Sequence, residues 1–134
     1  MLFNPCRNKD FLPDFKIENS QIEMVEQSKL LGVVIASNLS WSENTAFITK
    51  KCFKRMWLLK RLANLGASRG DLLDVYNKQI RCITEYSAPV WNSALTKEDI
   101  ANIERVQRSA LHIITGDQYL TYDHALKSCG LSRL

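Results

Sequence analysis

The chain has 134 residues, of which 46% are apolar and 24% are charged. These proportions are typical of one folded globular domain and exclude disorder as a description of the whole chain. No stretch approaches the roughly 18 uninterrupted apolar residues of a membrane-spanning helix. The first seven residues, MLFNPCR, lack the basic region and apolar core of a secretory signal. We therefore expect a protein that is neither membrane-bound nor secreted, with a cytoplasmic or nuclear location.

The formal net charge of +4 is unevenly distributed along the chain. Residues 1–43 carry 4 basic and 6 acidic side chains, and residues 66–134 carry 8 of each. Residues 44–65 carry 6 basic side chains and no acidic one. The whole excess of positive charge therefore lies in one short segment.

The residue types that serve catalysis or metal binding are scattered. The cysteines have no C-x-x-C spacing, which predicts isolated thiols in a reducing compartment rather than a disulfide framework or a zinc module. Two histidines are too few for a metal site by spacing, and the 5 glycines form no phosphate loop. We therefore predict no catalytic residue and no metal site. The residues concerned are Cys6, Cys52, Cys82, Cys129, His112 and His124.

The first forty residues are predicted to form strands. Residues 15–17 and 21–25 flank a turn-like cluster at residues 18–20, which predicts a hairpin. Residues 1–3 are expected to form a further strand. Residues 30–35 are an apolar run rich in β-branched side chains and predict one buried strand.

From Ser40 onward the apolar spacing is helical. Ser40 and Glu43 have the spacing of a capping box, and the first helix is predicted to run from there to Leu65. Gly66 follows in the position that favours a left-handed helix end.

Three further helices are predicted. One begins after Ser68 and runs towards Tyr86, and Pro89 ends or bends its last turn. The next begins at residues 96–99 and ends before Gly116, and a fourth covers residues 122–129. The apolar face of the third helix is formed by Ile100, Ile103, Val106, Ala110 and Ile114. The predicted class is α+β, a short antiparallel β segment followed by three or four packed helices.

The first helix is amphipathic. Lys50, Lys54 and Arg61 fall on one stripe at 3.6 residues per turn, with Lys51 and Arg55 beside it. Opposite them lie Ile48, Cys52, Met56, Leu59 and Ala63, and Phe53 and Trp57 border the basic stripe. Adjacent basic and aromatic side chains suit a nucleic-acid backbone with sugar or base contacts. The alternatives are a solvated face, a membrane surface or a partner protein.

Residues 29–35, KLLGVVI, followed by NLSW at residues 38–41, resemble the K-x-L-G-V … L-x-W block of reverse transcriptases from non-LTR (LINE/jockey-type) retrotransposons. The similarity extends in order along nearly the whole chain. Its further segments are residues 58–62, 76–80, 85–91, 103–110, 113–116, 122–126 and 130–131.

The resemblance implies three regions: residues 1–38 as partial palm strands with a primer-grip-like block, residues 39–116 as a helical thumb and connector, and residues 117–134 as a truncated connector helix. Lys29 and Gly32 would belong to the grip block. The thumb cations would be Lys50, Lys51, Lys54, Arg55 and Arg61. The implied partners are an RNA/DNA template–primer duplex and the missing palm and fingers of a longer parent enzyme.

Polymerase chemistry requires carboxylates that hold two metal ions, which the family supplies partly from an aromatic-x-Asp-Asp turn. The chain has no adjacent pair of aspartates. The resemblance therefore implies a fragment of an RNA-directed DNA polymerase that is inactive alone and holds no cofactor, whereas the parent enzyme would use Mg²⁺. The alternatives are a non-catalytic helical module that binds nucleic acid or protein, with self-association through an exposed palm edge, or a non-functional transposon remnant.

Overall fold

A computed structural model describes residues 25–134 and the backbone of two short strands, β1 (Lys16–Ile17) and β2 (Ser20–Gln21). These strands pair antiparallel, with Ile17 opposite Ser20. The predicted first hairpin is therefore confirmed where it is described, except that Ser20 belongs to a strand rather than to the turn. The strand predicted at residues 1–3 and Cys6 lie outside the described residues.

A second hairpin replaces the single strand predicted over residues 30–35, so that prediction is wrong. Strands β3 (Gln27–Leu30) and β4 (Val33–Ala36) pair antiparallel across a two-residue turn. The turn residues Leu31 and Gly32 have φ angles of +47° and +88°, the region that such tight hairpin turns require. Leu31 is consequently 84% exposed at the tip instead of buried.

Tyr86, from a distant part of the chain, holds this turn in place. Its hydroxyl donates a hydrogen bond to the Leu31 carbonyl oxygen at 2.9 Å. A Cβ atom on Gly32 would lie 3.4 Å from the Tyr86 ring. Because that distance is an ordinary van der Waals contact, glycine is favoured at position 32 by its positive φ and not by the ring.

Helix α1 spans Ser42–Asn64, and its two ends differ in how well local signals predict them. Trp41 is the N-cap and makes no side-chain capping bond, so the capping box predicted at Ser40 and Glu43 is wrong. The Ser40 amide instead donates to Asn38 Oδ1 at 2.9 Å, in a turn before the helix. The C-terminal end is as predicted, since Gly66 has a φ of +80°.

The next helical stretch comprises α2 (Arg69–Tyr76), a π-helical segment (Asn77–Arg81) and α3 (Cys82–Thr84). Ser68 caps it as predicted, because its Oγ accepts a hydrogen bond from the Asp71 amide at 3.2 Å. The stretch ends at Thr84, two residues before the predicted Tyr86.

A left-handed residue, Ser87 at φ +53°, separates α3 from the short helix α4 (Ala88–Trp91). Pro89 lies in the first turn of α4, where proline is tolerated because its missing N–H has no partner within the helix. A 3-10 turn over Asn92–Ala94 follows.

Helix α5 (Lys97–Thr115) begins where predicted, with a reciprocal capping box between Thr96 and Asp99. Its predicted apolar face is correct except for Ile100, which is 46% exposed, while Leu111 is fully buried. A 3-10 turn over Gly116–Gln118 leads to α6 (Tyr122–Cys129). Leu111 packs against Ala125 and Leu126 of α6, which explains why this side of α5 is covered.

Helix α1 lies at the centre of the fold. It packs most extensively against α5 and also contacts β4, α2 and α3. Its buried residues include Ile48, Cys52, Met56 and Leu59, which are four of the five apolar positions predicted for this face. The predicted α+β class is confirmed, with a β-hairpin followed by packed helices.

A buried polar network ties the last residues of the chain to the core. The fully buried Tyr76 donates through its hydroxyl to Gln107 Oε1 at 2.9 Å. Gln107 Nε2 in turn donates to the Ser132 carbonyl oxygen at 2.7 Å. Both functional ends of the buried Gln107 amide are therefore hydrogen-bonded, as buried polar groups require.

The two candidate serine and threonine caps should respond differently to truncation. Thr96→Ala removes the acceptor for the Asp99 amide and should lower the free energy of unfolding by about 1 kcal/mol. Ser40→Ala should change it by less than about 0.5 kcal/mol, because the Ser40 Oγ accepts only one long hydrogen bond, from the Ser42 amide at 3.4 Å. Urea unfolding followed by circular dichroism measures both. A larger loss for Ser40→Ala than for Thr96→Ala would contradict this description of the two helix starts.

Candidate nucleic-acid interface

The outer face of α1 presents exposed positive charge. Lys50, Lys54 and Arg61 are exposed, on the side opposite the buried residues of the helix. Trp57 lies among them and is 65% exposed. Within residues 25–134, no acidic side chain forms an ion pair with these three cations. We call Lys50, Lys54, Trp57 and Arg61 the outer face of α1.

Cations and aromatic rings are in contact along one edge of this face. The Arg61 guanidinium lies 5.7 Å from the centroid of the Trp57 ring. On the neighbouring helix α5, the Arg105 guanidinium lies 5.7 Å from the centroid of Phe53, which is 37% exposed. Such contacts hold a guanidinium over an aromatic face. Arg105 therefore extends the positive surface from α1 onto α5.

Arg105 was not among the residues predicted from sequence. Helical spacing places Arg105 about 200° around the helix from Ile103, on the side opposite the predicted apolar face, which predicts an exposed position but no contact with α1. Its proximity to Phe53 depends on how α5 packs on α1, and no sequence signal carries that information.

Lys29, predicted in the grip-like block, is brought onto α1. Its Nζ lies 4.5 Å from the centroid of the Phe47 ring. An open groove of about 460 Å³ separates β3 from α1 at this point, and Lys29, Lys50 and the acidic Glu43 are among the residues that line it. Lys29 and Lys50 therefore border one groove.

Lys51 and Arg55 face a different space from the outer cations. They line a cleft of about 330 Å³ between the second hairpin, α1, α3 and α4, which we call the hairpin cleft. Its lining residues are Gly32, Val33, Asn44, Phe47, Ile48, Lys51, Arg55, Cys82, Ile83, Tyr86 and Trp91. The predicted set of thumb cations is thus divided between the outer face and this cleft. Whether any of them contacts nucleic acid stays a prediction.

Arg55 is held in position by the π-helical segment. Its Nη1 donates to both the carbonyl oxygen and the Oε1 atom of Gln79, each at 3.0 Å. Gln79 lies inside the segment Asn77–Arg81, and π-helical turns are frequent at functional sites.

Two thiols near the cleft differ in environment. Cys52 is fully buried, and burial raises its pKa to about 11, because the interior disfavours the thiolate. Cys82 is exposed on the cleft wall, and its Sγ donates to the Lys78 carbonyl oxygen at 3.0 Å.

The described part of the chain contains no group of three or more histidine, cysteine, aspartate or glutamate side chains placed to hold a metal ion. Over the same residues, no helix combines the length and apolar character needed to cross a bilayer.

Comparison of the chain with protein-family models, curated proteins and solved structures finds no match. The resemblance to retrotransposon reverse transcriptases therefore stays a prediction from the sequence motifs.

The two thiols should react at very different rates in the folded protein. At pH 8, a maleimide should label Cys82 within minutes, whereas Cys52 should stay unlabelled until the protein is denatured, because it is buried and its raised pKa leaves little thiolate. Peptide mass mapping after timed quenching measures each site separately. Equal native labelling of Cys52 and Cys82 would contradict the burial of Cys52.

Proposed function

We propose that the chain is a thumb-like helical module of a non-LTR retrotransposon reverse transcriptase, which grips the phosphate backbone of a template–primer duplex and has no polymerase activity alone. The outer face of α1 is the surface that makes the grip. The second hairpin, with Lys29, borders it and extends it.

The observation that carries this proposal is the row of cations on the outer face, none of which forms an ion pair with an acidic side chain of residues 25–134. Lys50, Lys54 and Arg61 follow one side of a rigid helix, at intervals of four and seven residues. Fixed positive charges along a line displace the counterions of a nucleic-acid backbone, which is the main source of sequence-independent affinity. Such contacts set position and orientation rather than sequence preference.

Trp57 distinguishes this face from an ordinary solvated helix surface. The Trp57 side chain is 65% exposed among cations. It therefore does not contribute to folding the stabilisation that a buried indole would. Aromatic rings beside basic groups are typical of surfaces on which bases stack. The outer face therefore combines the two elements of sequence-tolerant nucleic-acid binding.

The salt dependence of binding tests the cations. The triple variant Lys50→Gln, Lys54→Gln and Arg61→Gln should make the negative slope of log affinity against log salt shallower by about 3 for an RNA–DNA hybrid, since each lost phosphate contact contributes nearly one unit. Fluorescence anisotropy of a labelled hybrid, at several salt concentrations below 0.2 M, measures the slope.

The matched control removes the same charge from elsewhere. The variant Lys78→Gln, Lys97→Gln and Lys127→Gln changes three exposed lysines outside α1 and should leave the slope within about one unit of the original. Equal slopes for both triple variants would show that net charge, not the outer face, determines binding. Affinity of the unmodified chain that is independent of salt would overturn the proposal.

The contribution of Trp57 is tested separately. Trp57→Ala should weaken binding to a hybrid with a single-stranded template extension roughly tenfold, because one stacked base is lost. Trp57→Phe keeps an aromatic face and should retain most of the affinity. Anisotropy titration at constant salt measures the affinity of both variants. If Trp57→Ala bound as tightly as the unmodified chain, base stacking on Trp57 would not contribute to binding.

A further inference from the structure

The hairpin cleft has the composition of a binding site rather than of a packing defect. Its volume of about 330 Å³ is within the range of small-ligand sites, about 300–1,000 Å³. Apolar and aromatic side chains line most of it, with a few polar groups among them. We propose that this cleft binds a single nucleotide unit, with the phosphate on Lys51 and Arg55 and the base against the aromatic wall.

The cationic end of the cleft is suited to a phosphate. Lys51 and Arg55 are four residues apart on α1, which places their side chains on one face of the helix. No carboxylate within the described ranges forms an ion pair with either of them. Gln79 fixes Arg55 through one guanidinium nitrogen, and the remaining N–H groups stay able to donate to a phosphate oxygen.

The aromatic wall is suited to a base. Tyr86 and Phe47 line the cleft, and both rings are anchored from outside it. The Tyr86 hydroxyl donates to the Leu31 carbonyl oxygen at 2.9 Å, and Phe47 carries the Lys29 ammonium over its ring at 4.5 Å. Rings that are already held in place lose little conformational freedom when a ligand stacks on them.

One residue that lines the cleft, Asn44, carries a buried amide donor with no hydrogen-bond partner among the described residues. The Asn44 amide is only 1% exposed, and its Oδ1 accepts a hydrogen bond from the Val34 amide at 3.1 Å. That bond fixes which end of the amide is the oxygen. Asn44 Nδ2 is left without a partner among the described residues, which is unfavourable for a buried donor. A carbonyl or phosphate oxygen of a ligand would satisfy it.

This inference is independent of the grip on the outer face. The cleft uses Lys51 and Arg55, whereas the outer face uses Lys50, Lys54 and Arg61, and the two sets face different sides of the helix. The same nucleotide chemistry is supplied by a free nucleotide and by the end of a strand, so the experiment includes both.

Protection of Cys82 from alkylation reports occupancy, because this exposed thiol is in the cleft wall. Increasing AMP should slow maleimide labelling of Cys82 at least fivefold at saturation, while adenosine and inorganic phosphate should each protect at concentrations at least tenfold higher. Lys51→Gln should raise the AMP concentration needed roughly tenfold, because one charge-assisted contact is lost. Lys60→Gln, on the same helix but outside the cleft wall, should leave the required AMP concentration unchanged.

Labelling of Cys52 in the same samples shows whether each variant is folded, since this thiol reacts only when the core opens. The outer-face triple variant should keep full protection by AMP, so failure of the grip and failure of the cleft can be told apart. Protection at lower concentration by a 5′-phosphorylated oligonucleotide than by AMP assigns the site to strand ends, and the reverse assigns it to free nucleotide. The proposal would be overturned if AMP did not protect Cys82 of the unmodified protein from maleimide. It would also be overturned if Lys51→Gln and Lys60→Gln raised the required AMP concentration equally.

Discussion

Helix α1 can pack on the core in one rotation about its axis, because its apolar side chains form a single stripe. Ile48, Cys52, Met56 and Leu59 are all buried, and burial of each larger apolar side chain contributes roughly 1.5–3 kcal/mol. A rotation by one residue, about 100°, would expose this stripe and bury lysines, which is far more costly. The outward direction of the cations is therefore a consequence of core packing.

The position of α1 along the core depends on a buried carboxylate. Asp99, 4% exposed, accepts hydrogen bonds from Thr96 Oγ1 at 2.7 Å and from Ser42 Oγ at 3.1 Å. One side chain thus caps α5 and joins it to the first residue of α1. The beginnings of α1 and α5 are therefore held together. This alignment of the two helices brings Arg105 of α5 over the Phe53 ring of α1.

The features that the sequence predicts correctly are those with a local cause. Gly66 ends α1 because it adopts a positive φ, and α5 starts at the predicted place because Thr96 caps it through a residue three positions away. Helical spacing likewise placed the lysines of α1 opposite its apolar side without any knowledge of its neighbours.

The failures have tertiary causes. The run at residues 30–35 has the composition of a buried strand, but Tyr86, 55 positions further along the chain from Leu31, stabilises a turn within it. Ser40 had the spacing of a cap, but a hydrogen bond of its own amide to Asn38 keeps it in the preceding turn. The division of the cations between outer face and cleft depends on the same hairpin, so periodicity within α1 could not reveal it.

That division gives the two sets of cations different physical properties. The charges of the outer face are surrounded by water, where salt screens them within about 8–10 Å, and their long side chains are free to follow a moving backbone. Arg55 is half-buried and is anchored to a carbonyl oxygen of the π-helical segment, so its guanidinium is oriented before any ligand arrives. Screening acts less strongly on such partly buried groups, and orientation in advance reduces the entropic cost of binding. One helix thus presents solvent-exposed, salt-screened cations on one side and an oriented guanidinium on the other.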